Sequence, residues 1–186
     1  VRKMRVVAGE RKGMPLKAVS GTTTRPTTDK VKESIFNMIG PFFEGGIVLD
    51  LFAGSGALGI EALSRGAERA IFIEKDRRAF QVLKENIKKC RYEDRAEAYC
   101  TDALRGIKAL LKRDIQLDYL FVDPPYKKLE YYDYILMLEE GGKLSKDAII
   151  VCEHSFDVQL PQAYGRFTCI RSEKYGKTII SIYRMS

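Results

Sequence analysis

Histidine is almost missing from this 186-residue chain, which has only His154, and cysteine occurs four times, at Cys90, Cys100, Cys152 and Cys169. No two cysteines have the C-x-x-C spacing of a metal pair, so no zinc site is expected and the thiols read as free, in a reducing compartment. Long apolar runs are missing too. None approaches the roughly 20 residues that a bilayer span requires, so no membrane partner is expected. No signal-peptide pattern precedes the first charged residues, and a cytoplasmic location is expected. Internal repeats and low-complexity stretches are not found. What remains, 45% hydrophobic and 31% charged, is the composition of a soluble globular chain with one substantial core.

The charge is unevenly placed. Residues 1–32 carry nine basic side chains against two acidic ones, a surplus of seven that equals the net charge of the whole chain, and the rest carries 23 of each sign. Such a stretch on a neutral body reads as a polyanion-binding surface, with a solubilising tail as the alternative.

Residues 4–19 read as a small hairpin around a basic, glycine-containing turn. A polar loop with Pro26 follows, then a helix with Thr28 as N-cap, Asp29 in its first turn and Val31, Ile35, Met38 and Ile39 on one face, stopped by Gly40-Pro41. From residue 47 short apolar runs alternate with amphipathic segments: strands near 47–51, 70–74, 96–101, 118–122 and 148–152, helices near 57–65, 77–90, 103–112 and 130–139. This alternation predicts an α/β fold, a doubly wound, mostly parallel seven-stranded sheet covered on both faces, in which residues 166–185 supply an antiparallel hairpin turning at Tyr175-Gly176-Lys177. A basic extension over 1–40 and a catalytic domain over 41–186 are the expected divisions.

The stretch VLDLFAGSGALGIEAL (48–63) contains Gly54-x-Gly56-x-x-Gly59 between a strand and a helix, with Glu74 20 residues after Gly54. That is dinucleotide spacing. Asp50 argues against it. A pyrophosphate beside that carboxylate would meet a like charge, at a cost of about 4 kcal/mol at ~4 Å and an effective dielectric of 20. Asp50, Glu74, Asp102 and Asp123 each end or follow a predicted strand, and strand carboxyl ends form the ligand crevice of such sheets. Four carboxylates favour a cationic ligand rich in hydroxyls and amines. S-adenosylmethionine fits: Glu74 takes the ribose hydroxyls, Asp102 the adenine amino group and Asp50 the methionine amine, directly or through water. Phe52 packs beside it, Gly54 and Gly56 allow close backbone approach, and the adjacent Lys75 and Ala103 complete the expected cofactor site.

Asp123-Pro124-Pro125-Tyr126 resembles the D/N-P-P-aromatic motif of amino-group methyltransferases. An exocyclic amine is a poor nucleophile because its lone pair is delocalised. The Asp123 carboxylate and the Pro124 carbonyl, fixed by consecutive prolines, can draw its two hydrogens toward a pyramidal arrangement, and Tyr126 can stack on the base. In order along the chain, the basic hairpin, TRPTTDKVKESIFNMI, the glycine segment and VDPPY resemble the 16S ribosomal RNA guanine-N2 methyltransferases, the RsmD family. The resemblance implies methyl transfer to one guanine of small-subunit RNA, free or in an assembling subunit. It also implies RNA contacts by Arg25, Pro26 and Thr27, with Arg5, Arg11, Lys12 and Lys30 as further basic contacts. The protein is expected to work without metal and as a monomer. A DNA adenine-N6 enzyme, a protein glutamine-N5 enzyme and a non-catalytic RNA-binding assembly factor are the alternatives. His154 reads as structural rather than as a general base, and Tyr131, Tyr132 and Tyr134 as mainly packing residues.

Overall fold

The computed structural model describes residues 4–20, 28–125 and 128–186. In chain order the elements are β1 (Met4–Arg5), β2 (Pro15–Leu16), α1 (Asp29–Ile39), β3 (Ile47–Asp50), α2 (Ala57–Ser64), β4 (Arg69–Glu74), α3 (Arg77–Lys89) and β5 (Ala96–Cys100). Then follow α4 (Ala103–Leu111), β6 (Leu117–Val122), α5 (Leu129–Tyr132), α6 (Tyr134–Glu140), β7 (Leu144–Ser155), β8 (Ala163–Tyr164), β9 (Phe167–Tyr175) and β10 (Thr178–Met185).

One sheet has the order β5-β4-β3-β6-β7-β10-β9-β8. Its first five strands are parallel and the last three run antiparallel to their neighbours. The chain moves outward from β3 to β5 and then crosses back to lay β6 on the other side of β3. A crevice opens at the strand carboxyl ends where the order reverses. The central strands are buried on both faces, which is why they read as continuous apolar runs. Two cores result, one under α1, α2 and α3 and one under α4 and α6.

Three expectations need correction. The sheet has eight strands and not seven; the extra one is the two-residue β8, held on β9 by Ala163↔Thr168 and Tyr164↔Phe167. The strand expected at 148–152 runs from Leu144 to Ser155, because β10 pairs with it as far as Ser155. The helix expected at 130–139 is two, α5 and α6, meeting at Asp133. Tyr132, at the end of α5, is fully buried and donates its hydroxyl to the Glu153 carbonyl at 2.5 Å.

The helix over 29–39 starts as expected, with Thr28 Oγ1 accepting from the Val31 amide at 3.2 Å. The N-terminal strands are only two residues each, but the hairpin is closed by Val6 N–H to Met14 O at 2.9 Å and Gly13 N–H to Val6 O at 2.8 Å. It is docked by α2. Glu61, fully buried, accepts the amides of Val7 and Ala8 at 2.9 and 3.0 Å and pairs with Lys32 at 3.4 Å and Arg65 at 2.8 Å. Ser64 Oγ accepts from the Arg11 amide and donates to Ala8 O. Met4, Val6 and Leu16 share the core of Ile35, Phe36 and Leu63.

Candidate active site

The turn after β3 places backbone in the crevice. Gly54 has φ +57°, and a Cβ there would point into open space, so the loop presents a bare main-chain surface. Gly59 does different work. A Cβ there would lie 2.3 Å from the Phe72 ring, so glycine lets α2 press against β4. The loop is tied to both flanking strands, by Leu51 N–H to Phe121 O and Ala53 N–H to Ile73 O.

Around this turn the sheet brings together the carboxylates read from the sequence. Asp50 is 2% exposed and accepts the Gly59 amide at 3.1 Å. Burial pushes its carboxyl up to about 8 against the pull of that amide, and the nearby charges of Asp123 and Glu74 push the same way. These three groups therefore share one electrostatic neighbourhood. Glu74 is half-buried and oriented by two amides, Gly54 N–H and Asp76 N–H, each at 2.7 Å. Each of its oxygens keeps a further lone pair for a hydroxyl donor. Asp102 caps α4 by accepting the Arg105 amide at 2.8 Å. Lys75 is exposed, its carbonyl facing the Cys100 thiol at 3.8 Å, and Ala103 is buried in the first turn of α4.

Asp123 and Pro124 follow β6 directly, next to β3, where Asp50 pairs with Phe121. Asp123 is half-buried, Pro124 buried and Pro125 exposed, so the motif lines the crevice from the side opposite β4. Tyr126 lies outside the described residues, as do Arg25, Pro26 and Thr27.

Sequence reasoning saw one group of contributors in part, naming Phe52 for the cofactor and its tyrosine neighbours as mainly packing, and missed another. The first is an aromatic row. Phe52 meets the edge of Tyr131 with centroids 5.6 Å apart, and Tyr131 lies 6.3 Å from Tyr134. The Tyr134 hydroxyl is pushed above its ordinary value by burial and then by Tyr131 and Asp102, which places the row beside the Asp102 end of the crevice. Of the three tyrosines read as packing, only Tyr132 is fully buried. The second is Asn86, fully buried on α3. Its amide donates to Lys17 O and to Ser55 O, both at 2.9 Å, and its oxygen accepts from Lys17 N–H at 2.8 Å. One side chain thus joins the strand leaving the basic hairpin to the glycine turn. A polar residue on the apolar stripe of α3 was the available signal.

The basic arm is less free than its charge count implies. Arg5 pairs with Asp29 at 3.1 Å, Lys17 with Glu85 at 3.3 Å, and Lys32 is buried against Glu61. Arg11 donates Nε–H to Cys90 O at 2.7 Å and lies over the Tyr92 ring. Lys12 at the hairpin tip and Lys30 on α1 are exposed. His154 is buried, with Nε2 2.8 Å from Ser181 Oγ and Nδ1 2.9 Å from Val158 O, as a structural residue would be.

Residues 4–184 match the family described as Conserved hypothetical protein 95. YlbH of Bacillus subtilis (strain 168) is 50% identical over 181 residues, covering 97% of this chain and 98% of that protein. Ribosomal RNA small subunit methyltransferase D of Escherichia coli (strain K12) is 33% identical over 181 residues, 97% of this chain and 89% of that protein. The chain belongs to the RsmD family. The solved structure of the Escherichia coli protein yhhF superimposes with a TM-score of 0.83 at 33% identity, covering 100% of this chain and 99% of that one. An RNA methyltransferase from Salinibacter ruber, solved in complex with S-adenosyl-L-homocysteine, shares the fold with a TM-score of 0.62 at 20% identity, over 87% of this chain and 94% of that one. The eight-stranded sheet of this RsmD-family chain is thus the Rossmann-like sheet of the methyltransferases. Among its described residues, no helix is long and apolar enough to cross a membrane.

Proposed function

We propose that this chain is a ribosomal RNA methyltransferase that moves a methyl group from S-adenosylmethionine to the exocyclic N2 of a guanine in small-subunit RNA. The observation that carries this reading is the position of Asp123-Pro124, at the end of β6, in the same crevice as the glycine turn, Asp50 and Glu74.

The crevice fits the cofactor. The open face at Gly54, the oriented carboxylate of Glu74 and the buried carboxyl of Asp50 answer a ribose, an amine and a cationic centre. When bound, S-adenosylmethionine supplies an electrophilic methyl on a positively charged sulfur. Glu74 holds the ribose hydroxyls, Asp102 the adenine amine with Lys75 and Ala103 beside it, and Phe52 packs at the edge. The chain's own part in the chemistry is positional. The Asp123 carboxylate and the Pro124 carbonyl accept the two amine hydrogens, and the fixed φ of Pro124 and Pro125 holds that carbonyl still. Tyr126 stacks on a base swung out of its helix, a contact worth about 1–3 kcal/mol. The departing proton needs no strong base, consistent with the structural contacts of His154.

Labelled methyl transfer to purified small-subunit particles, protein-free small-subunit RNA, DNA and protein tests this. The expected result is label in small-subunit RNA alone, mapped by mass spectrometry to N2-methylguanosine. Label in DNA adenine or in protein would replace the reading.

The buried carboxyl of Asp50 adds a pH dependence. With its ionisation displaced to about 8, Asp50 is mostly protonated at pH 6–7, where an α-amine is charged. Pairing with that amine requires the carboxylate, so cofactor binding releases a proton and affinity rises with pH across this window. Titration calorimetry in two buffers of different ionisation enthalpy should show that proton at pH 6.5, and Asp50→Asn should abolish it. Equal heats in both buffers would remove Asp50 from the amine site. The same displacement makes the folded protein lose stability as pH rises from about 4 to about 8, because only the unfolded chain has ionised Asp50 there.

A further inference from the structure

Outside the crevice and the basic arm, an uneven charge distribution lies on α3 and its flanks. Residues 75–91 hold seven basic side chains and two acidic ones. Both acids are engaged: Asp76 Oδ1 accepts the Ala79 amide at 3.0 Å as N-cap, and Glu85 pairs with Lys17. The count over the chain hides this surplus because an excess of acids elsewhere in residues 33–186 balances it.

The helix orders these charges. Ala79, Val82, Leu83, Asn86 and Ile87 are buried, so the positions i, i+7 and i+11 from Arg77 fall on the opposite, solvent face. They are Arg77, Lys84 and Lys88, and Arg91 follows just past the helix end with φ +58°; all four are exposed, and among the described residues none of the ion pairs involves them. From Arg77 to Lys88 the row spans about 17 Å at 1.5 Å per residue. Its first member sits at the crevice rim, after β4. Its far end lies beside the basic hairpin, where Arg11 holds the Cys90 carbonyl.

We infer that the solvent face of α3 is a binding surface for the phosphodiester backbone of the substrate RNA, continuing the basic arm past its docked residues to the mouth of the crevice. The inference rests on the RNA reading above and enlarges it. Lys32 and Arg11 of the arm are held in contacts with the body, and α3 supplies accessible cations along the arm's flank. A row of cations without shaped pockets recognises a polyanion by charge, so it contributes affinity and little base preference.

The test is a salt titration of binding to small-subunit RNA by full-length protein carrying Lys84→Gln, Lys88→Gln and Arg91→Gln together. A control variant of equal charge change carries Lys108→Gln, Lys112→Gln and Lys146→Gln, exposed positions on α4, at its C-cap and near the start of β7. The α3 variant is expected to bind more weakly and to flatten the slope of log K against log salt by about 2 to 3. Its melting temperature and cofactor affinity should match the parent's, and the control should keep the parent's slope. A parent slope in the α3 variant overturns the inference while leaving the methylation reading standing. An equal loss in both variants also overturns it, since the effect would then be net charge alone. A parent that methylates no RNA and binds it without salt dependence overturns both.

Discussion

Asp123→Ala is expected to lower the rate of methyl transfer about 10³-fold while leaving cofactor affinity nearly unchanged, the size seen when one preorganised polar group at a reacting centre is removed. The reason is geometric. Asp123 leaves β6 on the far side of β3 from Glu74, which in the proposed reading assigns its carboxylate to the acceptor amine and not to the ribose. Asp123→Asn keeps one acceptor oxygen in place and should retain more of the rate than alanine does. A second readout separates this role from a merely structural one. The Asp123 charge contributes to holding Asp50 in its protonated form, so removing it should let Asp50 ionise at lower pH and shrink the proton release on cofactor binding at pH 6.5. Single-turnover transfer and buffer-pair calorimetry measure the two effects, and unchanged turnover in the alanine variant would remove Asp123 from the reacting centre.

The largest effect on stability is expected at Glu61. Its two oxygens satisfy two backbone amides of the hairpin and two buried cations, one of which, Lys32, is 1% exposed. Glu61→Ala leaves those amides without their acceptor and both cations without their anion, and breaking a buried pair from one side typically costs 3–5 kcal/mol. The pairing partly opposes the burial that holds the Lys32 ammonium below its ordinary value, so without it Lys32 shifts further toward the neutral amine. Arg65 has no such escape, because a guanidinium stays charged. Urea unfolding followed by circular dichroism should show a loss of about 3–5 kcal/mol for the alanine variant and less for Glu61→Gln, which keeps one amide acceptor. A loss below about 1 kcal/mol would mean that water replaces the network at little cost.

The strand ends were the most readable part of the sequence. A buried strand must be apolar to its last residue, so a carboxylate such as Asp50 or Glu74 at that point announces both the end of the strand and the chemistry of the crevice. Asp76 and Asp102 also cap helices, a role the strand-end reading does not assign to them. What stayed hidden depends on contacts between distant segments. Asn86 looks like one polar residue in an amphipathic helix until the fold sets Lys17 and Ser55 against it. The charge count along the chain could not separate accessible cations from engaged ones for a related reason: it included Lys32 and Arg11, which tertiary contacts hold, and it let acids elsewhere cancel the cations of α3. The eighth strand is two residues long, shorter than any periodicity can register.

The docking of the hairpin has a consequence for anyone who would treat it as a detachable module. Cutting the chain after α1, or grafting these first residues onto another enzyme of the same fold, would sever Glu61, Ser64 and Asn86 from the main-chain groups they serve. The recipient would need all three side chains at matching depth, and the graft would have to keep Gly9, where a methyl would fall 1.9 Å from the Ser64 carbonyl oxygen. Swaps between relatives should therefore succeed only when they carry both halves of this seam, and the two halves should melt in a single transition.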